Sequence, residues 1–265
     1  MLPFSIVSAY GNSAPGIIDG DMEVVEPQGI TLGGTQLYGH MVCSVQSDIY
    51  ICGGWNGTQV TNNLYRYSTI DNTMHQLSSM PEVLYGTTST YYNSHIYLYG
   101  GVKDSNGTQV SDKLYRYSIE SDTWDVIVTT NSPGKLSQAM IYFVNIGETN
   151  YFYIWAADLY NGMYRIDIST WTWEELTFPP LKLSYSTGTA YNNYKLYGIG
   201  NSNLYIYDML SDTWSTASLG TSELNNSMLC ADSRYLYSYN NGKYRILKDI
   251  EGNLYVTISK IITVR

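Results

Sequence analysis

The stretch Leu64-Tyr-Arg-Tyr-Ser68 decides how this chain is interpreted, because it returns unchanged at Leu114–Ser118. Both copies follow a loop that contains Asn-Gly-Thr-Gln-Val, at Asn56–Val60 and Asn106–Val110. Each loop follows a double glycine, Gly53-Gly54 in the first copy and Gly100-Gly101 in the second. A repeat of this length indicates an array of supersecondary elements, each of which needs its neighbours in order to bury its apolar surface.

Weaker copies of the repeat continue along the chain. Met163, Leu204 and Lys243 begin three further copies. Tryptophan lies ten residues after the start of the motif in the second, third and fourth copies, whereas Met74 takes this place in the first and Asn253 in the fifth. A leucine precedes each copy, and these leucines are 47, 52, 47 and 41 residues apart. The spacing suits a unit of four strands and exceeds most helical repeats. The leucines are Leu37, Leu84, Leu136, Leu183 and Leu224.

The second repeat shows the predicted strands most clearly. Tyr, Thr, Val and Ile dominate four short runs, and Asn, Asp, Ser and Gly separate these runs as turn residues do. We expect strands at Thr87–Tyr92, His95–Tyr99, Lys113–Ser118 and Trp124–Val128. Apolar residues do not recur with helical spacing, so the sequence predicts an all-β protein with almost no helix.

These features resemble the kelch repeat, in which a double glycine ends the second strand, a tyrosine lies in the third and a tryptophan opens the fourth. The residues that match are Gly53, Gly54, Gly100, Gly101, Tyr67, Tyr117, Tyr207, Trp124, Trp173 and Trp214. Later repeats depart from the pattern: the third has Ala156-Ala157 in place of the glycines and Ile166 in place of the tyrosine. The resemblance implies a kelch-type β-propeller of five four-stranded repeats, whose blades bury their faces against one another. It does not imply one function, since kelch propellers serve many roles.

The two ends leave the blade count open. We expect residues 1–34 to be an N-terminal arm or partial blade and residues 35–265 to form the propeller. Five blades could close the ring directly, with the N-terminal segment as an arm. Alternatively, N-terminal strands and the run Tyr255–Val264 would build a sixth, composite blade, which we slightly favour because a split blade ties the ring shut.

Charge and composition limit the partners. The net charge is -9, with only 14 Lys and Arg residues, which argues against binding to nucleic acid or to an anionic membrane. The sequence contains no run of 18 apolar residues, so it predicts no membrane-spanning helix. Met1–Gly11 lacks the basic start of a signal peptide. Charged residues make up 14%, while neutral polar residues are abundant, a composition common in virion and extracellular proteins. We therefore favour a virion or extracellular surface over the cytoplasm.

No catalytic or metal-binding motif stands out, and we expect no cofactor. The three histidines, His40, His75 and His95, occupy different repeat positions, so a shared metal site is not predicted. We expect Cys43, Cys52 and Cys230 to be buried, reduced thiols. Kelch copper oxidases need more histidine than this chain supplies. A carbohydrate isomerase or hydrolase, with a site at the channel mouth as in sialic acid mutarotase-type propellers, stays an alternative that no motif supports.

Equivalent third-strand positions carry arginine in four repeats. An arginine ring could bind an anion, but we favour a repeated structural hydrogen bond from the third strand. The residues are Arg66, Arg116, Arg165 and Arg245.

The long loops after the second strands are the predicted binding surface, because connecting loops on a rigid scaffold often carry function. Trp55 follows a double glycine and is a candidate exposed anchor, of the residue type favoured in binding hot spots. Aromatic rings beside amides would also suit a sugar. The remaining candidates are Asn56, Gln59, Lys103, Asp104, Gln109, Trp155 and Tyr160, although the Asn-Gly pairs could simply be tight turns.

The sequence thus favours a non-catalytic binding or structural module. We expect it to dock a protein partner in a larger assembly, such as a phage tail or head fibre or a decoration protein, or else a surface glycan.

Overall fold

Each sequence repeat forms a four-stranded antiparallel sheet in which consecutive strands pair as neighbours. The computed structural model describes residues 37–157, 162–180, 189–191, 194–220, 228–231, 235–240, 243–249 and 254–257. Within these residues every regular element is a strand, which confirms the all-β prediction. The N-terminal arm or partial blade that we predict for residues 1–34 lies outside the described residues. The chain divides into two compact units, of which Gly29–Lys182 holds three sheets and Leu183–Arg265 holds two.

The three sheets of Gly29–Lys182 are called blades 1 to 3. Their strands are β1 (Met41–Val45), β2 (Asp48–Cys52), β3 (Leu64–Ser68), β4 (Thr73–Leu77), β5 (Ser89–Tyr92), β6 (His95–Tyr99), β7 (Leu114–Ser118), β8 (Thr123–Ile127), β9 (Gln138–Ile146), β10 (Thr149–Ala157), β11 (Gly162–Asp167) and β12 (Thr172–Glu175). The four strands predicted for the second repeat are confirmed as β5 to β8, within two residues at each end.

Blades 4 and 5 belong to the second compact unit. Their strands are β13 (Thr189–Tyr191), β14 (Lys195–Gly200), β15 (Asn203–Asp208), β16 (Thr213–Ser218), β17 (Met228–Ala231), β18 (Tyr235–Asn240), β19 (Lys243–Asp249) and β20 (Leu254–Thr257). In this unit Tyr197, Ile199 and Leu204 of blade 4 share one buried cluster with Leu236 of blade 5.

Adjacent blades bury their apolar faces against each other. Tyr50 and Leu64 of blade 1 form one buried cluster with Leu98 and Tyr117 of blade 2. A second cluster joins blades 2 and 3, with members that include Tyr97, Tyr99, Phe152, Ile154 and Trp173. A twisted sheet with two apolar faces cannot bury both alone, so packing of blade 2 against blades 1 and 3 supplies hydrophobic stabilisation that a single blade would lack.

Threonine side chains join the innermost strands of blades 2 and 3. The Thr87 hydroxyl lies 2.7 Å from the carbonyl oxygens of both Tyr99 and Ala139. The backbone N–H of Ile141 donates to the Thr88 hydroxyl at 2.8 Å. These contacts satisfy polar groups on strand edges that would otherwise be left without partners inside the protein.

The double glycines are required where one blade meets the link to the next. The N–H of Gly54 donates to the Leu84 carbonyl at 2.8 Å, and the N–H of Gly101 donates to the Leu136 carbonyl at 2.9 Å. A Cβ atom built on Gly100 would lie 2.2 Å from that same Leu136 oxygen. The double glycine of one repeat therefore packs directly against the carbonyl of the landmark leucine of the next repeat. A side chain at the first glycine would push that carbonyl away.

The tyrosine and tryptophan of the repeat also have a specific role between blades. The Tyr117 hydroxyl donates to Asp122 at 2.7 Å, and its ring lies 5.0 Å from that of Trp124. The Trp124 Nε1–H donates to the carbonyl of Ser78, in the link that leaves blade 1, at 2.8 Å. In blade 4 Tyr207 and Trp214 repeat the same ring distance of 5.0 Å.

Candidate functional site

The candidate site is the end of blades 1 and 2 where the loops after the second strands meet the links between blades. Successive antiparallel strands reverse direction, so these loops and links lie at the same end. The N–H of Leu84 donates to Thr61 of the first loop, and Tyr85 exchanges two hydrogen bonds with Val102 of the second. We call this end of blades 1 and 2 the loop face. It comprises residues 53–63, 78–88 and 100–113, together with Tyr38.

Trp55 and Tyr38 form an aromatic pair on the loop face. Their backbones exchange two hydrogen bonds of 2.8 Å, and their ring centroids lie 5.7 Å apart. Tyr38 is 52% exposed and Trp55 is half-buried. The indole Nε1–H of Trp55 is buried and has no hydrogen-bond partner among the described residues. Tyr38 was not among the sequence-predicted site residues, because its position in the repeat does not reveal that it faces Trp55.

Blade 2 shows that the fold does not require an aromatic residue at position 55. Val102 occupies the equivalent place in blade 2. It forms isolated backbone β-bridges with Tyr85 and Val110, just as Trp55 forms them with Tyr38 and Val60. Val102 is buried. The large ring of Trp55 is therefore a feature of blade 1 and is not part of the repeated framework.

Asn56 and Asp104 shape the loops with their side chains. Asn56 Oδ1 accepts the backbone N–H groups of Thr58 and Gln59 at 3.0 and 2.8 Å. Asp104 Oδ1 accepts those of Thr108 and Gln109 at 2.9 and 3.0 Å, and its other oxygen accepts the Thr108 hydroxyl. The Thr108 hydroxyl, followed by these backbone donors, lowers the pKa of the Asp104 carboxyl. Both side chains are committed to turns, which is the simpler of the two roles that the sequence allowed.

A group of charged residues anchors the second loop to the link between blades 1 and 2. Glu82 forms ion pairs with Lys113 and, at 3.4 Å, with Lys103, and it accepts the Tyr115 hydroxyl at 2.9 Å. Burial alone would raise the pKa of Glu82, but hydrogen bonds from Lys113 and Tyr115 and the two lysine charges together lower it. Glu82 was missed by sequence reasoning, since nothing near Pro81 in the sequence indicates partners some twenty and thirty residues away.

The remaining predicted site residues differ in their surroundings. Gln59 and Gln109 are exposed on the loop face. Trp155 does not lie in a loop as its sequence position had indicated: it belongs to β10 and is 0% exposed. It lies before Ala156-Ala157 and pairs with Met163, so it takes the place of the buried strand residues Cys52 and Tyr99 of blades 1 and 2. Tyr160 lies outside the described residues.

The third-strand arginines form cross-strand pairs. Arg116 binds Asp125 at 2.9 Å, and Arg165 binds Glu174 at 2.7 Å, each on the neighbouring fourth strand. In blade 1 the register places His75 opposite Arg66, which contacts the Tyr50 hydroxyl instead. The described arginines thus have structural partners, as favoured from the sequence. The Arg245 side chain lies outside the described part.

The residues suited to catalysis or metal binding do not converge in the part of the chain that the structure describes. No group of three His, Cys, Asp or Glu side chains there is close enough to hold a metal ion. Cys43 and Cys52 are buried, free thiols, and burial raises the pKa of Cys43 to about 12. Burial also lowers the pKa of His40, despite its hydrogen bond to Leu37. None of the described segments forms a helix long and apolar enough to span a bilayer.

The comparisons with known proteins agree with this architecture. Residues 39–228 match the KLHDC2/KLHL20/DRC7 Kelch-repeats domain. No curated protein sequence matches the chain. The solved structure titled "Structure of YjhT" is similar in fold, with a TM-score of 0.63, 14% sequence identity and coverage of 82% of this chain and 83% of that chain. Since the matched domain covers well over half of the sequence, the chain belongs to the kelch-repeat family and is a kelch-type β-propeller.

Proposed function

We propose that this chain is a non-catalytic binding module that docks a protein partner through the loop face of blades 1 and 2. The kelch propeller fold itself suggests a protein-binding module. The observation that carries the more specific proposal is the aromatic pair of Tyr38 and Trp55. Tyrosine and tryptophan are enriched among residues that dominate binding energy, and Trp55 is present although Val102 fills the same place in blade 2.

The loop face is also held in shape before any partner arrives. Asn56 and Asp104 fix the two loops through hydrogen bonds to backbone N–H groups. Glu82 ties the second loop to the link between the blades through both lysines. A preorganised surface loses less conformational entropy on binding, so more of the contact energy contributes to affinity.

A larger particle is the context that we propose for this binding. The low share of charged residues, 14%, and the abundance of neutral polar residues suit a subunit of a virion, such as a phage tail or head fibre or a decoration protein. Recovery of the chain as a stoichiometric component of purified particles would support this context. A chain that is always recovered as a free monomer would contradict it.

The binding proposal is tested by site-specific photocrosslinking in an extract of the native source. A photoreactive amino acid replaces exposed Gln59 or Gln109 on the loop face, or exposed Glu120 in the turn at the opposite end of blade 2 as the matched control. We expect a discrete protein adduct from the loop-face positions and none from position 120. The same adducts from both ends would refute docking through the loop face.

The role of Trp55 is tested with Trp55→Val, because valine is the residue that blade 2 carries at this place. Loss of a central aromatic anchor costs about 2 kcal/mol or more, or roughly 30-fold in affinity for the crosslinked partner. Unchanged affinity with an intact fold would remove Trp55 from the site.

A surface glycan is the second candidate ligand, because the exposed Tyr38 ring lies on the same face as the exposed amide of Gln59. A glycan array probed with the wild-type protein and with Trp55→Val distinguishes this ligand from a protein. Binding without turnover would keep the module interpretation. Turnover of a bound sugar, abolished by changing one carboxylate at the channel mouth, would instead favour the alternative of a carbohydrate isomerase or hydrolase.

A further inference from the structure

The two copies of Asn-Gly-Thr-Gln-Val have the same sequence but different structures. In the first, Asn56 accepts the N–H groups of Thr58 and Gln59 and anchors the turn. In the second, Asp104 accepts the corresponding N–H groups of Thr108 and Gln109. The second connection, 103–109, is longer than the first, 56–59, and the extra residues bring a carboxylate to the anchoring place. Asp104 thereby takes the role that Asn56 has in blade 1.

This exchange leaves Asn106 without a structural role of its own. Asn106 is exposed, and its carboxamide has no hydrogen-bond partner among the described residues. Gly107 follows it with φ +74°, and an added Cβ on Gly107 would meet nothing within 4 Å. The backbone around Asn106 is therefore open to solvent and unhindered by side chains. One restraint remains, a long hydrogen bond of 3.3 Å from the Gly107 N–H to the Asp104 carbonyl.

We propose that Asn106 is a site of spontaneous deamidation, and that the fold protects Asn56 from the same reaction. The backbone nitrogen of Gly107 attacks Cγ of Asn106, and a new C–N bond closes a five-membered succinimide. The Cγ–Nδ2 bond breaks, and the nitrogen leaves as ammonia with the proton that Gly107 gives up. Water then opens either carbonyl of the ring and leaves aspartate or isoaspartate at position 106. No step changes an oxidation state, and water is the sole co-reactant.

Asn56 is also followed by a glycine, but its side chain is held by hydrogen bonds. Ring closure needs Cγ to turn toward the nitrogen of Gly57, and this rotation breaks both hydrogen bonds that Oδ1 accepts. The N–H of Asn56 also donates to the Gln59 carbonyl at 3.0 Å, which restrains the backbone of the turn. Two lost hydrogen bonds slow the reaction at Asn56 by roughly tenfold or more relative to Asn106.

The consequence is a new negative charge on the loop face of blade 2. Deamidation converts a neutral carboxamide into a carboxylate in the same loop as Asp104 and the exposed Gln109. An isoaspartate would in addition lengthen the backbone at this point.

The test is peptide mapping by mass spectrometry after incubation of the folded protein at mildly alkaline pH. We expect the peptide that contains Asn106 to gain the mass of deamidation roughly tenfold faster than the peptide that contains Asn56. The internal control is the same protein incubated in concentrated urea, where the two identical pentapeptides should react at similar rates. A difference seen with folded protein and lost on unfolding is therefore due to the fold.

Variants complete the test. Asn106→Gln should abolish the fast reaction and leave the slow one at Asn56 unchanged. Asp104→Ala removes the anchor of the second loop and should leave Asn106 at least as reactive as before, with Asn56 unaffected. Equal rates at the two asparagines in the folded protein, or a faster reaction at Asn56, would overturn the proposal. So would a rate ratio in urea that equals the ratio in the folded state.

Discussion

Replacement of Gly100 by alanine tests the physical reason for the double glycine. Gly100 has φ +70°, and its added Cβ would lie 2.2 Å from the backbone oxygen of Leu136. Gly107 is a matched control further along the same loop, because its φ of +74° is nearly the same and its added Cβ would meet nothing within 4 Å. The two substitutions therefore share the strain of a left-handed backbone and differ in the close approach to a carbonyl.

The expected magnitudes follow from these contacts. A residue other than glycine in the left-handed region costs about 1 kcal/mol, which is the whole penalty that we expect for Gly107→Ala. In Gly100→Ala the Leu136 carbonyl must also retreat and lose the N–H of Gly101, which it accepts at 2.9 Å. A buried donor left without a partner adds about 1–3 kcal/mol. We expect Gly100→Ala to reduce the free energy of unfolding by about 3 kcal/mol in all.

The assay is urea denaturation followed by tryptophan fluorescence, with circular dichroism to show that each variant retains its sheet structure. Gly53→Ala should resemble Gly100→Ala, since its Cβ would lie 2.3 Å from the Leu84 oxygen. The slope of the unfolding free energy against urea concentration should stay constant if only stability changes. Gly100→Ala and Gly107→Ala with equal penalties, to within about 0.5 kcal/mol, would refute the close approach as the reason for glycine.

Three further predictions concern blades 1 and 2. Tyr117→Phe removes the hydrogen bond to Asp122 and should cost about 1–2 kcal/mol at neutral pH. Burial would raise the pKa of Asp122, but donors from Ser78 and Tyr117 together lower it below the ordinary value of an aspartate. The ionised carboxylate thus contributes stability above that value. The loss of unfolding free energy that Tyr117→Phe causes in urea denaturation should therefore shrink as pH falls through the lowered pKa. A loss that does not depend on pH would contradict this prediction. His75→Asp places a carboxylate opposite Arg66 and should form the same ion pair that Arg116 forms with Asp125. This pair should raise the free energy of unfolding by about 0.2–1 kcal/mol in low salt. Arg66→Gln should abolish that gain. Burial raises the pKa of Cys43 to about 12 and raises that of Cys52 further. Neither thiol should therefore react with iodoacetamide at pH 8 until the protein unfolds. Modification of either thiol in the folded protein would contradict this prediction.

Much of the architecture could be predicted because it repeats. Strand positions, turn residues and the tyrosine–tryptophan pair recur at nearly constant spacing, so each repeat supports the interpretation of the others. Burial of the blade faces follows from the same repetition, since a blade with two apolar faces has to pack against neighbours of its own kind. The leucine before each repeat was recognised as a landmark, but its contact with the glycines of the previous blade was not.

The candidate site was only partly predictable because it depends on departures from the repeat. Trp55 was found because its ring is conspicuous after the double glycine, whereas Tyr38 and Glu82 became visible only when distant segments were brought into contact. Trp155 was wrongly expected in a loop, because it lies before Ala156-Ala157 and therefore at the place of Cys52 and Tyr99, the last residues of β2 and β6.

The sequence by itself determined the class of fold, the number of kelch-like repeats and the strands within each repeat, because these depend on local periodicity and on packing between like neighbours. The tertiary structure alone decided which identical residues have different roles. Asn56 anchors a turn and Asn106 does not, although both begin the same five residues, because the longer second loop brings Asp104 to the backbone donors first. Hydrogen bonding depends on which acceptor reaches a donor in space, and a local sequence match does not specify that distance.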